Sequence, residues 1–146
     1  MGTVAASAIR QAVAAKITAL GVPYQELARA YDLVQAEPAS VLHGGFAVGV
    51  PAAADLRDRQ RPGVGALTLT RLVVVLFWRA TPKDQVTAYD AALDAASTVR
   101  VAVCAVSASY PGDCSIRWKA QDVRVTPDPM WYEIRLAFDV QHVAPN

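Results

Sequence analysis

The chain has 146 residues, a length suited to one domain, and a net charge of +1. Hydrophobic residues make up 53% and charged residues 18%, enough for a core but poor in surface charge, so part of the surface is expected to be hidden against partners. The near-neutral balance gives no sign of nucleic-acid binding by bulk electrostatics, and no stretch reaches the roughly 20 apolar residues that span a bilayer.

The opening MGTVAASAIRQAVAAK lacks the charged start, apolar run and cleavage site of a secretory signal. It also lacks the Ser or Thr at position six of a myristoylation start, where Ala6 stands. A cytoplasmic, reduced chain is the expectation. Ile9, Val13, Ile17 and Leu20 then form one helical stripe, and intervening alanines favour the helix until Gly21 and Pro23 end it. Tyr24, Leu27, Ala28 and Tyr31 suggest a short second helix, stopped by Pro38.

Val41 to Val50 reads as a strand with Leu42, Phe46, Val48 and Val50 on one side; Gly44, Gly45 and Gly49 predict a bulge or a close backbone neighbour. Pro51 to Gly65 reads as a long polar loop, of a length that is usually functional or mobile. Leu67 to Arg79 is a strand apolar on both faces, Val73, Val75 and Phe77 on one and Leu72, Val74, Leu76 and Trp78 on the other. A central strand, or one completed by another subunit, has this pattern.

A second main helix is expected to start at Thr81-Pro82-Lys83-Asp84, capped by Thr81, with Val86, Tyr89, Leu93 and Ala96 facing inward. Ser97 to Ser107 fits either period and is read as continued helix. Tyr110 to Asp113 is a turn, and Ser115 to Val125 a strand bulged near Ala120 to Asp122. Thr126 to Pro129 joins it as a hairpin to a last strand, where Met130, Tyr132, Ile134, Leu136, Phe138 and Val140 oppose Glu133, Arg135, Asp139 and Gln141. The whole predicts one α+β domain over residues 1–146: a mostly antiparallel sheet of about four strands with two main helices on one face.

Catalytic constellations are sparse. His43 and His142 both fall on strands and could meet, but no HxH or HExxH spacing supplies a third metal ligand. Satisfied strand-end histidines are the favoured reading. Cys104 and Cys114 lack CxxC spacing and read as idle thiols rather than a redox pair. Asp90 and Asp94, four apart on a helix, could do acid–base work but suit a solvated face. Gly44-Gly45 and Gly63-Val64-Gly65 match no phosphate loop. Trp78, Trp118 and Trp131 read as core or interface anchors rather than base-stacking platforms. In the long loop, Arg57, Arg59 and Arg61 alternate, so an extended segment points them one way; with Asp58 they make a candidate partner-binding site. No cofactor or metal is expected.

HGGFAVGV (His43 to Val50), DRQR (Asp58 to Arg61), LTLTRLVVVLFWR (Leu67 to Arg79), YDAALD (Tyr89 to Asp94) and the closing WYEIRLAFDVQH, with its FxVxH-like run at Phe138, Val140 and His142, carry a resemblance. Over roughly Thr3 to His142 the chain resembles the tail terminator proteins of long-tailed bacteriophages. The resemblance implies a virion structural protein of the tail and neck, assembled in the host cytoplasm, and not an enzyme. It implies a six-membered ring of identical subunits that caps the last ring of tail tube protein, stops its growth and receives the head-side connector. DNA would pass through the ring without sequence-specific binding, and no membrane partner is implied. A connector such as a stopper or adaptor is the nearest alternative. A small α+β ligand-binding domain or enzyme using His43, Asp90 and the tryptophans is the alternative from another class.

Overall fold

The structure, a computed structural model, describes residues 2–27, 43–55, 66–81, 83–105, 110–126 and 129–145. Helix α1 spans Ala6–Thr18. Strands β1 (Gln25–Glu26), β2 (Gly45–Asp55) and β3 (Ala66–Arg79) follow, then helix α2 (Gln85–Cys104), a 3-10 turn at Pro111–Asp113, and strands β4 (Ser115–Val125) and β5 (Trp131–Ala144). They form an α+β fold with one five-stranded sheet in the order β1-β2-β3-β5-β4.

β3 is the central strand. It pairs antiparallel with β2 on one side and with β5 along its whole length on the other, from Ala66 opposite Ala144 to Arg79 opposite Trp131. β4 pairs antiparallel with β5, so β3 and β4 run parallel and α2 carries the chain across the position that β5 later fills. The fifth strand, absent from the sequence reading, is β1, a two-residue piece pairing parallel with Gly45 and Phe46. It replaces the start of the helix expected from Tyr24 and Leu27. The remainder of that expectation, from Ala28 to Ser40, lies outside the described residues.

Both helices pack on one face of the sheet. Ile9, Val13 and Ile17 of α1 and Val99 and Val103 of α2 meet Phe46, Val48, Leu72, Val74, Leu76, Ile134, Leu136, Phe138 and Val140, all buried in one cluster. Each such side chain stabilises the fold by about 1.5–3 kcal/mol relative to leaving it in water. The two faces read for β3 and β5 match the structure from Leu72 to Phe77 and from Tyr132 to Val140, but Met130, read with the buried set, lies before β5 and is 47% exposed.

Three expectations are corrected. α2 is capped by Asp84, whose carboxylate accepts from the Thr87 amide at 3.2 Å, not by Thr81. Its inward stripe is Ala88, Ala92, Ala95, Ala96, Val99 and Val103, so of the expected stripe Ala96 is buried and Leu93 half-buried, while Val86 is 74% exposed and Tyr89 43%. Alanines at 88, 92, 95 and 96 let this part of the helix axis approach the sheet closely, and Val86 and Tyr89 are left outside. The loop expected to start at Pro51 begins later, because β2 continues to Asp55 through a register shift between Gly49 and Ala52. A bulge of this kind accommodates Pro51 within a strand. Residues 56–65, the rest of that loop, lie outside the described residues.

Candidate functional site

The sheet geometry separates the two histidines. His142 lies opposite Thr68 at one end of β3, whereas the His43 ring accepts from the Arg79 amide at the other, 3.1 Å from Nδ1. At a rise of about 3.3 Å per residue the two ends are roughly 35 Å apart, so the histidines cannot share a ligand. His142 is buried and satisfied: Nδ1 donates to the Val4 carbonyl at 3.0 Å, which leaves Nε2 to accept from Thr70 Oγ1 at 2.7 Å. The His43 ring packs tilted against Trp78, with centroids 4.3 Å apart, and burial, with the Arg79 charge second, lowers its pKa from 6.5.

The other candidates resolve in the same local manner. Cys104 and Cys114 are free and half-buried, and burial pushes both thiols up, which keeps them protonated at neutral pH. Tyr110, whose hydroxyl donates to the Val103 carbonyl at 2.7 Å, is also pushed up, first by burial and then by the neighbouring thiols. Asp90 and Asp94 are exposed on α2. Trp78 and Trp131 are packing residues, the first against the main core and the second against Phe77 and Leu27. Trp118 is different: it is 37% exposed on β4, with the Arg100 guanidinium 4.8 Å above its ring. The partner-binding candidates Arg57, Asp58, Arg59 and Arg61 lie outside the described residues. Among the described residues no group of three or more His, Cys, Asp or Glu is placed to hold a metal.

What the elements do assemble is a surface. The face of the sheet away from the helices carries Leu69, Arg71, Val73 and Val75 of β3, Glu133, Arg135, Ala137 and Asp139 of β5, and Arg117 and Arg124 of β4. Ala52 and Ala54 of β2 complete its apolar side. The surface thus grades from small and apolar to charged. Asp139 accepts Arg71 Nε at 3.3 Å and attracts Lys119 Nζ at 3.8 Å; Glu133 holds Arg135 at 2.8 Å and Asp122 holds Arg124 at 2.9 Å. Such open pairs add little to stability, typically about 0–1 kcal/mol, but they fix charged groups in place for a partner to meet. Leu27 packs onto one end of this face, at Phe77, where Ala47 is buried too. Sequence reasoning found the alternation but not the surface, because the register of β2 and β4 against β3 and β5 is not written in any one segment.

The sequence matches no protein-family model and no curated protein. Among solved structures, the fold is similar to a chain in the virion of a native gene transfer agent (GTA) particle, with a TM-score of 0.65 and 18% identity over 96% of this chain and 98% of that one. At that identity the likeness is one of fold, and it runs along nearly the full length of both chains.

Proposed function

We propose that this chain is a structural, non-enzymatic subunit of a phage-type particle and, more narrowly, a tail terminator that caps the tail tube. The observation that carries the reading is the likeness along nearly the full length of both chains to a component of a gene transfer agent virion. It agrees with the motif resemblance to tail terminators and with a central strand apolar on both faces whose helices cover only one. The finer assignment comes from the resemblance alone.

In this reading the subunits form a ring, most simply of six, on the last tube ring. A cyclic arrangement is head-to-tail, so each subunit offers two different complementary faces. Six individually weak contacts held in one ring act at high effective concentration, which gives tight capping without chemistry. The alternating Arg57, Arg59 and Arg61 would bind carboxylates of a neighbouring subunit or of the tube protein. The head-side connector would dock on the opposite rim.

Electron microscopy of particles made without the protein tests this. The expected result is tails of irregular, excessive length that fail to join heads. Tails of normal length that fail to join heads would favour a connector instead. Normal tails joined normally to heads would refute both.

A further inference from the structure

β4 is the last strand on its side of the sheet, and among the described residues its outer edge has no partner. Nearly all of its residues are exposed. The helix layer reaches to this edge without being covered there. Arg100, Val101 and Cys104 of α2 and Ile116, Arg117 and Trp118 of β4 line an open groove of about 520 Å³. Val101 is 60% exposed, and the Trp118 ring lies under Arg100. Sheet and helix here border an open groove along which one more strand could lie.

The chemistry of the rim selects what could fill it. The free N–H and C=O groups of an edge strand are a template for an added strand. The register puts Ile116 and Trp118 beside Val140 and Phe138 on the helix side, and Arg117 beside Asp139 on the other. A strand added along Ser115 to Trp118 would therefore point alternate side chains into the groove and towards Arg117 and Lys119. The edge is basic: Arg117, Lys119 and Arg124 stand against one acid, Asp122. Arg124 is taken up by Asp122 and Lys119 leans on Asp139, while Arg117 has no ion pair among the described residues.

We propose that the Ser115–Trp118 edge and its groove dock an extended acidic segment of another protein, in which apolar residues alternate with Asp or Glu. A second copy of this chain fits poorly. Its β3 and β5 are paired on both edges, its β2, GFAVGVPAAAD, has a single acid, and its own β4 edge would bring Arg117, Lys119 and Arg124 against the same basic residues. The proposal does not depend on the tail-capping reading, since it concerns the edge of the isolated chain.

A fluorescent peptide of alternating Val and Glu, titrated into the full chain and followed by anisotropy, is the probe. Binding is expected, with two chemical signatures. Trp118→Ala should weaken it about tenfold, as loss of a central aromatic anchor does, and Arg117→Glu at least about threefold. N-methylating one alternating set of peptide amides should abolish binding while the other set is tolerated, because a strand pairs with its neighbour through every second residue. This last measurement leaves the protein unaltered. Equal binding of both methylated peptides would mean charge attraction without strand addition, and would overturn the proposal. So would an absence of binding, or self-association of the unliganded chain that Trp118→Ala disperses, which would give the edge to a second copy.

Discussion

His142 Nδ1 donates to the Val4 carbonyl at 3.0 Å and so ties the last strand to the residues before α1. The Val4 amide in turn donates to the Val143 carbonyl at 2.8 Å, and Thr70 fills the other ring nitrogen. The imidazole is a buried three-way joint between β5, β3 and the start of the chain. His142→Ala should remove two hydrogen bonds and strand a buried hydroxyl and carbonyl. The expected loss is about 2–4 kcal/mol in urea unfolding. Amide exchange at Val4 and Val143 should accelerate more than at Leu136, in the middle of β5.

His43 predicts a pH dependence. Its pKa is lowered from 6.5 by burial and by Arg79, and its Nδ1 must stay unprotonated to accept from the Arg79 amide. The unfolded chain thus binds a proton at a higher pH than the folded one. Stability from this group is fully present above 6.5 and is lost as pH falls through the lower folded value. His43→Asn, which keeps an acceptor without the titration, should flatten this part of the melting-temperature profile. An identical profile in the variant would assign the acid sensitivity to other groups.

β5 and α1 are legible in the sequence because their bulky apolar residues keep one period, and β3 because Leu72 to Trp78 is an unbroken apolar run rich in valine. α2 was legible as a helix but not in its orientation. Its alanines are small enough to be read on any face, yet packing puts six residues, Ala88, Ala92, Ala95, Ala96, Val99 and Val103, inside. β1 is too short for any periodicity, and its existence depends on β2 offering Gly45 and Phe46 as partners. The placement of His43 and His142 at opposite ends of the sheet is a matter of register, which composition does not encode. The same holds for the groove at Trp118, formed by residues from two elements.

Two glycines of the β2 region should respond in opposite ways. Gly44 has a φ of +74°, and a Cβ there would fall on the Pro23 carbonyl group, which is backbone and cannot step aside. Gly44→Ala should cost about 2–4 kcal/mol. Gly49 has ordinary backbone geometry and nothing within 4 Å of an added Cβ. Gly49→Ala should be neutral or stabilise by about 0.4–1 kcal/mol, since it restricts only the unfolded chain. Thermal melts of the two variants side by side measure the contrast.

The last prediction separates folding from assembly by moving one residue along β3. Val74 is fully buried under the helices, whereas Val73 faces the opposite side of the sheet and is only partly covered. An aspartate at 74 would put an unpaired carboxylate into the core, and Val74→Asp should cost about 4 kcal/mol or more, enough to leave little folded protein. At 73 the carboxylate would sit on a face that also carries Arg71 and Arg135, so Val73→Asp should fold with a loss of about 1 kcal/mol or less. If that face is buried between ring subunits or against the tube, as the capping reading requires of an apolar patch left open by its own helices, the Val73 variant should be well folded by circular dichroism yet absent from purified particles. A Val73→Asp protein incorporated at the normal level would mean that this face stays in solvent on the particle. The capping reading would then need its subunit contacts elsewhere on the chain.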